Sequence, residues 1–554
     1  MDHQPAAGPP EPSPAVTPES NSTHPFPAGQ DRNSVLPAYL KALVILGFSL
    51  YTVLFGYHAY RLLAFPYDID NSEGFLLFGG HRLATGQGLY GDLTSPPHLV
   101  DNYPPVYPVL LAVGDRLVGT KFIWGRSLSV AATLGIAVLI YLWIGGVSGR
   151  RWSAFLSALC FLSFYHVYDW GALARVDMVA IFLSVLGLVF VERGKSIVLP
   201  VTCFVLSLCT KQTMFAGPLA AVMFLQYREE RRSAAALLIS VAVLTGLLYA
   251  LFQLLSGGAF LRHVFVYNSN PYRLLDLFIY FRHWWATYPI LGGIGLFFFL
   301  HRWKNRQRDL IFYFLFFSSL SALFCGKIGS APNYLLEMVV ATCLALGLVM
   351  AEVDVAERKD RSVLNLLLPV LLLAQILATM HWPHAMDFSY TPTTSDLYDA
   401  RNVERILRKS PGPILSERAG LPLLAGHDPF FQPFICTQLA RQGLWDEQPL
   451  LERIKRHEFP LILLTWDLFE KPADPERFSA EFVSAVADSY EIDQSFRKLV
   501  LYRPKRSSPH SSSNNPDPSK TTRLKADTIM EATNTHLIPE VINGATAISI
   551  RTTP

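Results

Sequence analysis

The sequence predicts an all-α polytopic membrane protein with a small C-terminal α/β domain. Three observations predict it. The chain of 554 residues is 51% hydrophobic and only 16% charged, a balance that fits a membrane protein and not a string of soluble domains. Apolar windows of about 15–24 residues recur from Tyr39 to His381, and several are long enough to cross about 30 Å of hydrocarbon. After the last of them, residues 386–505 switch to alternating helix and strand patterns.

In chain order, residues 1–35 are rich in proline and polar side chains and predict a disordered tail. The run at about 39–60 is too long for a signal-peptide core and predicts a retained anchor. A loop at 61–125 follows it. Further spans are expected at about 126–147, 152–169, 176–192, 196–210, 212–227, 233–255, 284–300, 309–325, 333–351 and 363–381, about 11 in all. The stretch "NYPPVYPVLLAVGDRLVG" (102–119) is apolar too, but it holds three prolines and the Asp115–Arg116 pair. A charge at the centre of a spanning helix costs about 2.5–3.5 kcal/mol, so this stretch is expected to be an interfacial or re-entrant helix that does not cross.

Charge placement tests that choice. With 102–119 left out, "GRR" (149–151), "ERGK" (192–195), "REERR" (228–232), "HRWKNRQR" (301–308) and "ERKDR" (357–361) all fall on one side. The positive-inside rule makes that side cytoplasmic. The N-terminus is then cytoplasmic, while the 61–125 loop and the C-terminal domain are extracytoplasmic. In that domain "SDLYDARNVERILRKS", with Ser395 as its cap, precedes the strand "GPILSE". "QPLLERIKRHE" then precedes "FPLILLTW", and "FSAEFVSAVADSY" precedes "KLVLYRP". A second disordered tail is expected at 506–554.

Several function classes are excluded early. A formal net charge of +3 does not suggest nucleic acid. Five of the six cysteines lie in apolar windows, and no CxxC or Cys/His spacing appears, so neither a disulfide framework nor a zinc site is expected. The sequence names no cofactor, and assistance by a divalent metal stays open.

The candidate chemistry gathers on the extracytoplasmic face. "YDIDNSEG" (67–74) sets three carboxylates in six residues. Asp70 suits the N-cap of a helix at 71–86, with Glu73 completing a capping box and Gly86 ending it. The same geometry brings both carboxylates to one helix entrance, where a general base can be mounted. "GALARVDM" (171–178) puts Arg175 and Asp177 at a junction of spans, where the plainer role is an interfacial salt bridge. "CTKQT" (209–213) puts Lys211 between two short apolar segments, to snorkel or to hold an anionic phosphate. "GKIGSAPNYLLEM" (326–338) adds Lys327, Asn333 and Tyr334 at another turn, and "DNYPPVY" (101–107) adds Tyr103 where the interfacial helix begins. Together they suit a base that deprotonates an acceptor hydroxyl and cations that hold a lipid-borne phosphate leaving group.

An acidic "EG" early in the first outer loop, then "GQGLY", "NYPPVYPVLLA", "GR", "RVD", "TKQT" and "NYLLE", resembles the polytopic C-type (GT-C) glycosyltransferases. The likeness covers about 39–385, nearest to bacterial relatives of protein O-mannosyltransferases, aminoarabinose transferases and lipopolysaccharide-core sugar transferases. The resemblance implies an enzyme of the bacterial inner membrane, a hexosyl- or pentosyltransferase. It implies a polyprenyl-phosphate sugar donor, inverting transfer, and an envelope lipid, glycan or protein acceptor. The family's base is usually in an adjacent Asp-Glu pair, whereas here Ser72 precedes Glu73, so either Asp70 or Glu73 qualifies. Tyr90, Tyr103 and Pro105 match the segment that shapes the pocket; Arg175, Asp177 and Lys211 match positions lining the donor phosphate or acceptor. Two alternatives compete: an inactive scaffold that keeps the fold, for which the missing Asp-Glu pair argues, and a lipid or solute transporter. A transporter calls for charges near the midplane and related halves, and neither pattern stands out.

Overall fold

The computed structural model describes residues 38–194, 196–356, 362–381, 391–470 and 472–506. The predicted tails (Arg506 apart) and the basic cluster 357–361 lie outside the described residues. The chain opens with α1 (Ala38–Ala64), then two helices in the first loop, α2 (Asn71–Ala84) and α3 (Val106–Val118). Next come α4 (Phe122–Ser148), α5 (Arg151–Leu162), α6 (Tyr165–Trp170), α7 (Val176–Arg193) and α8 (Val198–Thr210). They are followed by α9 (Ala216–Tyr227), α10 (Arg231–Leu255), α11 (Leu274–Thr287), α12 (Pro289–Lys304), α13 (Leu310–Ser321), α14 (Leu336–Ala356) and α15 (Ser362–His381).

Among the described residues four helical runs are long and apolar enough to cross a membrane: Tyr39–Ala64, Phe122–Ser148, Arg231–Leu255 and Pro332–Val353. Their packing differs. Most of Pro332–Val353 is buried, whereas α10 leaves Leu238, Ile239, Val243, Leu247, Leu251 and Leu254 exposed. Water would penalise such a face, and lipid tails match it. The chain is a membrane protein by these helices.

Two expected spans are broken, and the breaks meet. The span expected at 152–169 is two helices, because Ser163 turns its hydroxyl back to the carbonyl of Cys160 (2.7 Å) and Phe164 is extended. The span expected at 284–300 begins only at Pro289, with α11 separate before it, because a residue preceding proline is driven out of the helical region. That residue is Tyr288. Its hydroxyl accepts the Tyr165 N–H at 2.7 Å, and its ring lies 4.4 Å from that of Phe164. A buried N–H freed by one break is thus satisfied by the side chain of the other.

Residues 106–118 form the short helix α3, about 20 Å long at 1.5 Å per residue. Its Asp115 accepts from Thr120 Oγ1 at 2.5 Å and lies 3.2 Å from His81 Nδ1. The α2–α3 contact is close because a Cβ at Gly80 would stand 2.6 Å from that of Leu111.

The C-terminal domain comprises α16 (Thr394–Lys409), β1 (Leu415–Ser416), α17 (Gly420–Ala425), α18 (Pro433–Arg441), α19 (Gln448–Lys455), β2 (Ile462–Leu464), α20 (Ala480–Ser489), β3 (Tyr490–Ser495) and β4 (Val500–Pro504). The sheet order is β1-β2-β4-β3, with β1 parallel to β2 and the other pairs antiparallel. Thr393, and not Ser395, caps α16, in a capping box with Asp396. Ser395 lies inside the first turn, where its backbone is already helical.

This domain is fastened to the first loop at several places, among them Asp68 and His98. Asp68 Oδ2 accepts from Gly420 N (3.2 Å), and a Cβ at Gly74 would stand 2.4 Å from that same nitrogen. His98 pairs with the segment before α18, its N–H donating to Phe430 O (2.8 Å) and its carbonyl accepting from Gln432 N (3.1 Å).

Candidate active site

Helix α2 begins at Asp70, whose Oδ2 accepts from Ser72 N at 3.0 Å, and the capping box with Glu73 is closed. The two carboxylates then diverge. Glu73 is wholly buried and accepts from Arg126 Nε (2.9 Å) and Nη2 (2.8 Å), Ala174 N (2.7 Å) and Ile69 N (2.8 Å). Burial alone would raise its pKa, but Arg126 and the backbone donors outweigh that and hold it below the usual carboxylate range. Arg126 is equally buried and also donates to the carbonyls of Leu62, Phe65 and Tyr67. The pair ties α4 to the start of the loop.

Asp70 instead faces a cavity of about 170 Å³ between the first loop, the helical bundle and the C-terminal domain. Its Oδ2 accepts from Arg175 Nη1 at 2.5 Å. Arg175, the N-cap of α7, lies over the Trp170 ring at 4.5 Å, with Nε 3.5 Å from Asp177 Oδ2. Asp177 Oδ1 accepts from Lys211 Nζ and Asn333 Nδ2, both at 2.7 Å. Lys211 is only 1% exposed and sits 4.4 Å from the Tyr334 ring centre. The result is a line of alternating charges, Asp70, Arg175, Asp177 and Lys211, leading away from the cavity.

Of the residues expected from sequence, Asp70, Tyr103 and Arg175 line the cavity, whereas Glu73, Asp177, Lys211, Asn333 and Tyr334 lie behind its wall. Lys327, placed with them at an outer turn by the sequence, joins the first three, and the structure adds others. Lys327 lines the cavity, and its Nζ donates to Asn268 O and Oδ1, both at 3.0 Å. Among the described residues it has no carboxylate partner. Burial, reinforced by repulsion from Lys211, lowers its pKa to about 8. Asp101, the first residue of the "DNYPPVY" stretch, also lines the cavity. Burial raises its carboxyl to about 7 against the pull of Arg82, 3.5 Å away.

The C-terminal domain contributes Arg477 and Glu417. They pair at 2.5 Å, and with its amide turned to accept, Asn71 takes both Arg477 Nη atoms at 2.6 and 2.9 Å. No sequence motif marks these two; the Lys327 turn was legible as a cation, but its role depends on what packs opposite. Among the described residues no three His, Cys, Asp or Glu side chains gather to hold a metal ion. Asp70 and Asp101 each already have an arginine partner.

The fold is similar to that of solved polytopic membrane glycosyltransferases. The chain is similar to ArnT, the aminoarabinose transferase, from Cupriavidus metallidurans bound to undecaprenyl phosphate, at TM-score 0.53 and 14% identity over 82% of this chain and 97% of that one. The same enzyme in its apo state matches at TM-score 0.50 and 15% identity over the same shares. No family model matches the sequence, and no curated protein matches it either.

Proposed function

We propose that the chain is a membrane glycosyltransferase that moves a sugar from a polyprenyl-phosphate donor to an envelope lipid, glycan or protein acceptor. The observation that carries this reading is one cavity into which both Asp70 and the carboxylate-free cation Lys327 face. The likeness of fold to ArnT, in a structure bound to undecaprenyl phosphate, supports it.

In this mechanism Asp70 takes the proton of the acceptor hydroxyl. The acceptor oxygen forms a bond to the sugar's anomeric carbon as the bond from that carbon to the phosphate oxygen breaks, with inversion. The electron pair leaves with the phosphate, which goes from a diester with one charge to a monoester with nearly two. Lys327 therefore stabilises the transition state more than the ground state. Arg175 fixes the direction of the Asp70 carboxylate. Glu73 holds the α2 entrance in place through Arg126. Lys211, expected from sequence to hold the phosphate, is buried on Asp177, so that role passes to Lys327 and Lys211 positions Asp177. The cavity then opens on the extracytoplasmic face, with the N-terminus cytoplasmic and about eleven crossings.

Purified protein in lipid nanodiscs, supplied with short-chain polyprenyl-phosphate sugars and membrane glycolipid extract, is expected to release polyprenyl phosphate and glycosylate an acceptor. Asp70→Asn is expected to lower turnover by about 10²–10⁴. Equal turnover in the variant would remove Asp70 from the chemistry. In cells, deleting and restoring the gene should remove and return one sugar on an envelope glycan, read by mass spectrometry.

A further inference from the structure

We infer that the sugar transferred is neutral and rich in hydroxyls, recognised by a wall of side-chain carboxamides. The inference rests on the glycosyltransferase reading and names its substrate class. Five carboxamide residues line the cavity: Asn71, Asn102, Asn268, Asn270 and Gln432. Each carboxamide offers a donor and an acceptor, as each sugar hydroxyl does. Among the described residues the side-chain amide of Asn102 and the Nε2 of Gln432 have no hydrogen-bond partner. Gln432 uses only its Oε1, accepting from Val100 N at 3.2 Å.

The charges of the cavity are already matched. Asp70 is paired with Arg175, Asp101 with Arg82, and Glu417 with Arg477. Of the charged residues lining the cavity, Lys327 is the one without a carboxylate partner among the described residues, and the donor phosphate takes it. A sugar ammonium would find no free carboxylate here, and a sugar carboxylate no second free cation. Either would lose its hydration without a partner, which disfavours it against a neutral ring.

The test uses full-length protein in nanodiscs and three short-chain polyprenyl-phosphate donors carrying a hexose, an amino sugar or a uronic acid. Polyprenyl-phosphate release and binding of each donor are measured. The hexose donor is expected to exceed both charged donors by at least about tenfold in kcat/KM. Gln432→Glu keeps an oxygen for the Val100 N–H and adds a carboxylate, so it is expected to shift the preference toward the amino sugar by about tenfold. A charged donor turned over best by the natural protein would overturn the inference and leave the transferase reading standing. Failure to bind or turn over all three donors would sink the transferase reading, and this inference with it.

Discussion

Asp70 and Glu73 stand one helical turn apart and meet opposite surroundings. Glu73 has its oxygens filled by Arg126 and backbone N–H groups inside the protein. Glu73→Gln leaves Arg126 a buried cation without its counter-ion, a loss of about 3–5 kcal/mol. It should lower the thermal unfolding midpoint in detergent far more than Asp70→Asn, because Asn caps a helix about as well as Asp. The reverse order is expected for turnover. Lys327 supplies a pH test. Its ammonium loses its proton in the folded protein near pH 8 instead of near 10.5, so the charged form is present below about 8 and is lost as pH rises through it. In free enzyme kcat/KM should therefore fall above pH 8. Lys327→Arg should remove that limb, since guanidinium stays charged; an unchanged limb would assign it to another group. Asp70 and Arg175 were legible in sequence because a capping box and a span junction are local patterns. Arg477 was not, and Lys327 was legible only as a cation at an outer turn, because their partners come from segments far away in the chain.

Helix lengths were legible wherever apolar runs end in charges, as at α4 and α10. They were not legible at α5–α6 or α11–α12, since hydropathy does not register a serine or a pre-proline residue that breaks a helix inside protein. The joint at Tyr288 makes this testable. Tyr288→Phe keeps the ring against Phe164 but removes the hydroxyl that accepts the Tyr165 N–H. An unsatisfied buried donor costs about 1–3 kcal/mol, so the unfolding midpoint should drop while expression holds. No drop would mean that a different acceptor reaches that N–H.

At the scale of the whole molecule, the α/β pattern of the C-terminal domain was readable from alternation in its strands, but its docking was not. Contacts such as Asp68 to Gly420 and His98 to Phe430 join residues more than 300 positions apart, beyond any local periodicity. The orientation rests on the basic clusters. A periplasmic reporter enzyme fused after Lys505 should be active, whereas a cytoplasmic reporter at that point should be silent. The opposite pattern would place the cavity on the cytoplasmic side and remove the donor argument with it.

The line of charges from Asp70 to Lys211 also bears on how the chain is made. Synthesis delivers Asp177 before Lys211, 34 residues later, and the two close a hairpin of α7 and α8 through a 2.7 Å contact. Serine helps seat the hairpin, Ser207 donating to Ala180 O at 2.7 Å. A charge costs a helix about 2.5–3.5 kcal/mol at the centre of a bilayer and less near the helix end; Asp177, in the first turn of α7 with Arg175 Nε 3.5 Å away, gains a second and closer cation when α8 brings the Lys211 ammonium. Biogenesis should then treat α7 and α8 as one unit. Nascent chains cut after Arg193 should integrate α7 less completely than chains cut after Gln212, as scored by engineered acceptor sites in microsomes, and Asp177→Asn should narrow the gap. The ion pair that joins two helices behind the cavity of the finished protein would first have served as the permit for those helices to leave the translocon together.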